Sequence, residues 1–210
     1  MVYFLLIVKY FVFSLKRSYP LEDLKKKIRS FTKVSDSDIE FGLQFFKIRK
    51  IKKGELLLKP NQCINEFYFM QKGCISYYTV EEGITRVMEF FTEGYFFTDL
   101  YAFIQDIPSE SYLEALEDSI IYTISKSDQQ KVYDHSHQLE RFGRLSMQRT
   151  FVINFQRINQ LRNLSNQERY LQLLEKRPSL FQRVPQYLIA SYLGLTPVGL
   201  SKIKKRLSKS

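Results

Sequence analysis

The chain has 210 residues, 44% of them hydrophobic, and a formal net charge of +10. This length accommodates one large domain or two small ones, and the apolar fraction predicts a packed core and excludes wholesale disorder. The two cysteines, Cys63 and Cys74, are too few for a disulfide framework or for an iron–sulfur cluster. They favour a reducing, cytoplasmic location, with a Cys63–Cys74 disulfide as the alternative.

The charge is distributed unevenly along the chain. Residues 1–129 carry 17 Lys and Arg against 18 Asp and Glu, whereas residues 131–210 carry 15 against 4. A nearly neutral module followed by a basic one indicates a sensor or scaffold joined to a module that binds a polyanion.

The first fifteen residues are apolar except for Lys9. This run is too short and too interrupted to span a bilayer, which takes about 20 residues, and it lacks the cleavage site of a signal peptide. We therefore expect residues 1–19 to be a dispensable extension without stable membrane insertion. An additional helix packed on the body and a weak membrane contact are the alternatives.

Residues 20–128 are predicted to form an antiparallel β-roll preceded by two short helices. The first helix ends near Arg29, and the second follows the N-capping residues of Ser35–Asp38. Short apolar runs with a period of two then alternate with turns rich in glycine, which is typical of a sandwich or roll. One helical interruption is expected at Thr98–Ile104. The predicted strands are Phe46–Ile51, Leu56–Lys59, Glu66–Gln71, Ile75–Val80, Thr85–Phe91, Tyr112–Leu116 and Ile120–Ile124.

Residues 129–162 are predicted to form a long helix or broken helix, because the hydrophobic period returns to about 3.6. Its apolar stripe either covers the roll of the same chain or pairs with the same helix of a second subunit. We favour the homodimer. The residues expected at its interface are Phe142, Leu145, Phe151, Phe155 and Ile158. After this helix, Ser165 and Glu168 are expected to form a capping box for the next one.

Residues 163–210 contain two short helices around a tight turn. Ile189, Ala190 and Leu193 predict the buried side of the first helix, and Gly194 follows it where a positive φ is often needed. Thr196 is expected to cap the second helix, with Pro197 at its first position. Leu200, Ile203 and Leu207 predict its buried stripe.

The opposite side of this second helix is basic, as in a helix-turn-helix whose recognition helix enters the major groove of double-stranded DNA. A helical hairpin with a solvated basic face is the alternative interpretation. The residues expected to contact DNA are Thr196, Val198, Ser201, Lys202, Lys204 and Lys205.

A roll, a long helix and a terminal helix-turn-helix, in this order, resemble the Crp/Fnr superfamily of bacterial transcription regulators. The similar segments run from Phe67 to Gly73, from Gly94 to Leu100, from Leu113 to Asp118 and from Ile189 to Ile203. The resemblance implies an α+β fold with a cyclic-nucleotide-binding-like roll, a homodimer on double-stranded DNA, and RNA polymerase as a further partner. It implies no enzyme, and no glycine-rich nucleotide loop or catalytic constellation is visible in the sequence.

The phosphate-binding cassette that the resemblance implies departs from the family pattern. Thr98 and Asp99 stand at the Gly-Glu positions, and Ser109, Glu110 and Ser111 stand at the Arg-Ser-Ala positions. The missing arginine and the added Glu110 charge should each cost on the order of 1–3 kcal/mol of cyclic phosphate binding. We therefore expect no binding of cyclic AMP or cyclic GMP, and either another small effector or none. The residues of this degenerate pocket are Phe96, Thr98, Asp99, Leu100, Ser109, Glu110 and Ser111.

Other cofactors of the family are not expected. The only histidines, His135 and His137, lie at i and i+2 and would point to different sides of a helix, so shared ligation of a metal or haem is disfavoured. The function predicted from the sequence is a sequence-specific, homodimeric transcription regulator. A non-DNA interaction module whose basic tail contacts RNA, acidic lipid or an acidic protein is the alternative.

Overall fold

The computed structural model describes residues 21–208, so the predicted extension at residues 1–19 lies outside the described residues. Two short helices lead into the roll: α1 (Glu22–Arg29) and α2 (Asp36–Leu43). Ser35 caps α2 through the N–H of Asp38, as the sequence predicted. Leu24, Ile28 and Ile39 are buried and pack these helices against the roll.

Eight antiparallel strands form two four-stranded sheets. The strands are β1 (Lys47–Ile51), β2 (Leu56–Leu58), β3 (Glu66–Lys72), β4 (Ile75–Glu81), β5 (Ile84–Phe91), β6 (Phe96–Phe97), β7 (Tyr112–Ala115) and β8 (Ser119–Ser125). Their orders are β1-β8-β3-β6 and β2-β7-β4-β5. The alternation of large apolar and polar residues places Leu58, Met70, Ile75, Leu113 and Ile121 between the sheets, where all are almost fully buried. The predicted β-roll is confirmed.

The turn between β3 and β4 depends on Gly73. Its φ is +119°, and a Cβ atom at this position would lie 2.1 Å from the Oγ of Ser119. Only glycine permits both the positive φ and this close approach of β8. The helix expected within the roll is α3 (Leu100–Gln105), which follows directly after β6.

The helical segment after the roll is divided at Ser136. Helix α4 (Lys126–His135) precedes it, and α5 (His137–Asn163) extends over 27 residues. The long helix therefore begins at His137 and not at residue 129. Two contacts of Ser136 hold this break: its hydroxyl caps the N–H of Leu139, and it donates to Asp38 of α2, at 3.0 Å.

Four further helices follow within the described residues: α6 (Asn166–Lys176), α7 (Leu180–Arg183), α8 (Gln186–Tyr192) and α9 (Pro197–Leu207). The predicted capping box of Ser165 and Glu168 is present at the start of α6. These helices share one core with the outer side of β5, because Val87 and Phe90 cluster with Leu173, Leu188 and other buried residues of α6–α9. None of the helices within residues 21–208 has the length and apolar character needed to cross a membrane.

Candidate nucleic-acid interface and effector site

Helices α8 and α9 form a helix-turn-helix. Ile189 and Ala190 of α8 are fully buried, and Leu200 of α9 is 1% exposed, so the two helices cross where the side chain is small. Gly194 in the turn has a φ of +69°. Thr196 caps α9 by accepting the N–H of Gly199 at 3.1 Å, and Pro197 occupies the first turn. The local structure expected from the sequence is therefore present.

The outer side of α9 presents the residues predicted to contact DNA. Val198 is 65% exposed, and Ser201, Lys202 and Lys205 are exposed beside it. Lys204 is half-buried at the edge of this face. Because the buried stripe of α9 faces α8, its basic surface is open to a partner.

The degenerate cassette contains a buried polar network. Asp99 is 3% exposed, caps α3 by accepting the N–H of Ala102 at 3.2 Å, and accepts the hydroxyl of Ser109 at 2.6 Å. The Ser109 hydroxyl in turn accepts the N–H of Ser111 at 2.9 Å. The donors in this network are thus directed at a carboxylate and a hydroxyl of the protein itself.

Tyr77 of β4 belongs to the same network, and sequence reasoning did not identify it. Its hydroxyl interacts with Asp99 and Ser111; burial raises the pKa of Tyr77, and the Asp99 carboxylate adds to this effect. Local sequence patterns could not predict that Tyr77 joins this network, because its position depends on the pairing of β4 with β7. Glu110 is exposed and takes no part in the network's hydrogen bonds.

An open cleft of about 620 Å³ lies between β5, β6, α3 and α5. Three of the residues assigned to the degenerate pocket line this cleft, namely Phe96, Thr98 and Leu100, together with aromatic residues such as Phe91 and Tyr101. Asp99, Ser109 and Ser111 do not line the cleft, because they are buried behind its wall. The sequence placed all of these residues in one pocket, whereas the structure separates an apolar cleft from a buried polar network.

The long helix α5 carries an exposed apolar stripe along its second half. Phe151 is 70% exposed, Phe155 56% and Ile158 49%, and the rings of Phe151 and Phe155 stack on each other. Leu145 is half-buried. Phe142 differs from the other predicted interface residues, because its ring packs against Phe31 and Phe96 of the same chain.

Two arginines join the helix-turn-helix domain to the roll, and sequence reasoning did not identify them. Arg177 pairs with Glu89 of β5 at 2.6 Å, and the pair is largely buried. Arg183 makes a bidentate contact with Glu93, with both distances at 2.9 Å, and also contacts Glu117. The Ser191 hydroxyl accepts the N–H of Val87 and donates to the carbonyl of Thr85. These contacts join residues too far apart in the chain for local patterns to predict.

The two histidines line neither the cleft nor the helix-turn-helix surface described above. The ring of His135 stacks on Phe41 with a centroid distance of 3.6 Å, at the end of α4. Neither histidine belongs to a cluster of metal-ligating side chains in the described part of the chain.

Comparisons with known proteins agree with this architecture. A family model of the cyclic nucleotide-binding domain matches residues 48–136. No curated protein sequence matches the chain.

Three solved structures illustrate the structural similarity. The global regulator CLP from Xanthomonas campestris, described as responsive to c-di-GMP, is 19% identical over 83% of this chain and 92% of its own, with a TM-score of 0.65. FixK2 from Bradyrhizobium japonicum is 16% identical over 78% of this chain and 85% of its own, with a TM-score of 0.66. The catabolite activator protein of Thermus thermophilus is 14% identical over 87% of both chains, with a TM-score of 0.52.

These identities are low, so the similarity is one of fold. The order of roll, long helix and helix-turn-helix is the same as expected from the sequence motifs, and the predicted resemblance is confirmed. Residues 48–136 match the model of the cyclic nucleotide-binding domain family, and the described part of the chain has the fold that these Crp/Fnr-type regulators share.

Proposed function

We propose that this protein is a homodimeric, sequence-specific DNA-binding transcription regulator. The observation that carries the proposal is the exposed basic face of α9, set on a helix whose N-terminus is capped and whose other side is buried against α8. This is the arrangement that a recognition helix needs to enter a major groove.

The charges of α9 support contacts with a duplex. Lys202, Lys204 and Lys205 have no carboxylate within 4.0 Å in the part of the chain that the structure describes. They are therefore available for phosphate oxygens or base edges, and the N–H of Val198 is available to a phosphate near the N-terminus of α9. Relatives often present an Arg-Glu pair here to read a G·C step; Pro197 and Val198 replace that pair, so the operator must differ.

The apolar stripe of α5 supports dimerisation. Exposed large apolar side chains in a continuous stripe are costly in water, and a second copy of α5 would cover Phe151, Phe155 and Ile158. Two recognition helices related by twofold symmetry would then read half-sites about 34 Å apart.

The decisive variant is Lys202→Ala combined with Lys205→Ala. Its control is Lys53→Ala combined with Lys59→Ala, which removes the same charge from exposed positions of the roll. With a duplex selected from genomic DNA, we expect the first variant to lose about 100-fold or more in affinity and the control to bind like the natural protein. Equal affinity of all three proteins for the duplex and for mixed polyanions would favour the RNA, lipid or protein partner instead.

We also propose that the roll does not bind cyclic AMP or cyclic GMP. The Asp99 carboxylate already accepts hydrogen bonds from the N–H of Ala102 and the hydroxyl of Ser109, so these donors are not available to a cyclic phosphate. A further anion there would be repelled and would meet no arginine. Calorimetric titration with either nucleotide should give no saturable heat, and a micromolar Kd would contradict this proposal.

A further inference from the structure

A second, smaller pocket lies at the junction of α5, α6 and α8. It has a volume of about 100 Å³ and shares Arg157 and Leu161 with the wall of the effector cleft. Its lining joins the long helix to the helix-turn-helix domain, so that any occupant would contact both.

The lining contains four cationic side chains and no acidic one: Arg157, Arg169, Lys176 and Arg177. Only Arg177 has a carboxylate partner, Glu89. Within residues 21–208, the other three have no Asp or Glu oxygen within 4.0 Å. Like charges around one small pocket repel one another, and a bound anion would offset this repulsion.

Backbone carbonyl groups accept some of the hydrogen bonds that these arginines can donate. Arg169 donates to the carbonyls of Leu164 at 2.7 Å and Leu193 at 3.0 Å, near the C-terminal ends of α5 and α8. Arg157 is less committed: one of its N–H groups donates to the Tyr192 carbonyl at 2.7 Å, and its guanidinium stacks on the Tyr192 ring at 3.5 Å. The remaining N–H groups of Arg157 have no acceptor among the described residues, so they are available to donate hydrogen bonds to a bound anion.

A neutral polar side chain also lines this pocket. Gln172 has its amide oxygen buried without a hydrogen-bond partner. Rotation of this amide by half a turn would place its NH₂ group there, where it could donate to a bound anion. The pocket thus combines cationic side chains with an amide that gains a partner when an acceptor binds.

We propose that this pocket binds a small tetrahedral oxyanion: inorganic phosphate or the phosphate of a phosphomonoester. Arg157 and Lys176 supply charge, and the Gln172 amide donates to one oxygen. The bound anion joins α5, α6 and α8, and it thereby fixes the orientation of the helix-turn-helix domain relative to the long helix. Binding of the anion does not depend on the proposed DNA-binding function.

The test is calorimetric titration of the full chain with inorganic phosphate, and in a second arm with glycerol 3-phosphate, at constant ionic strength set by chloride. We expect saturable binding and a rise in Tm with phosphate that chloride does not produce. Arg157→Gln should weaken binding about tenfold or more, because a charge-assisted contact is lost. Arg162→Gln, an exposed arginine of the same helix, is the matched control and should bind like the natural protein.

The two arms distinguish the sources of the phosphate. Binding of inorganic phosphate alone means that the pocket accepts only the free anion, whereas binding of both means that it also accepts a phosphomonoester. Lys176→Gln serves as a second variant, because Lys176 is exposed and its replacement leaves the core intact. No saturable heat in either arm, or equal affinity in the Arg157, Lys176 and Arg162 variants, overturns the proposal.

Discussion

The most informative single residue is Asp99, a buried carboxylate at one of the two Gly-Glu positions of the family pattern. It holds the first turn of α3 and the Ser109 hydroxyl at once. A residue that would contact a ligand has thereby become part of the protein's own hydrogen bonding. The loss of cyclic nucleotide binding that we propose follows from this arrangement as much as from the missing arginine.

Replacing Ser109 by Ala should destabilise the protein by about 1–3 kcal/mol, because it leaves the buried Asp99 carboxylate with one donor fewer and removes the acceptor of the Ser111 N–H. Urea unfolding at neutral pH measures this difference. Glu110→Gln is the adjacent control, and since Glu110 is exposed, we expect it to change the free energy of unfolding by less than about 0.5 kcal/mol. Equal effects of the two substitutions would contradict the role given to the network.

At the scale of single elements, the sequence predicts most of the fold. Strands such as Lys47–Ile51 and Glu66–Lys72 differ from their predicted bounds by about one residue, because alternation and glycine turns mark them locally. The two-residue strand Phe96–Phe97 was missed, since so short a run has no period and depends on pairing with β3. A broken helix was one of the predicted alternatives, but the sequence did not place the break at Ser136, because a serine inside a periodic pattern is ambiguous until Asp38 is placed beside it.

The proposed dimer depends on the second half of α5. Phe155→Glu introduces two carboxylates into the proposed interface, one from each subunit, and should raise the dimer Kd by about 100-fold or more. Sedimentation velocity at micromolar concentration measures the shift. Gln156→Glu adds the same charge on a different side of the helix and should leave the dimer intact. A Phe155→Glu protein that remains dimeric would exclude this stripe as the interface.

At the scale of the whole molecule, the helix-turn-helix domain and the roll share one core and three carboxylate–arginine contacts. Arg177 and Arg183 reach Glu89, Glu93 and Glu117 across sequence separations of 66–90 residues. The uneven charge of the sequence indicated a basic module next to a nearly neutral one, but it could not indicate which pairs form. Glu89 also lines the open cleft between β5, β6, α3 and α5, so a ligand there would lie beside the Arg177 contact.

The Arg183 contact should make stability depend on pH. Burial tends to raise the pKa of Glu93, but hydrogen bonds from Arg183 and from the N–H of Gly73 outweigh it, and the pKa lies below its ordinary value of 4.5. A lowered pKa in the folded state means that the contact stabilises the protein above pH 4.5 and loses this effect as pH falls through the folded-state value.

We therefore expect Arg183→Ala to lower the free energy of unfolding by about 1 kcal/mol at pH 7, a value reduced because Glu93 is partly exposed. The difference from the natural protein should shrink as pH is lowered from 5 to 3 in unfolding experiments. Arg141→Ala removes an exposed arginine of α5 and should show neither effect. A difference that is constant from pH 7 to pH 3 would argue that Arg183 acts by packing alone.

We propose above that two recognition helices, related by the twofold axis of a homodimer, bind one duplex. Sedimentation equilibrium of the protein with a selected duplex over a range of salt concentrations tests this most directly. We expect two subunits per duplex and, for about six to eight phosphate contacts, a slope of log K against log salt near −5 to −7. A single subunit at micromolar concentration whose interaction with every duplex is weak and independent of salt would contradict it.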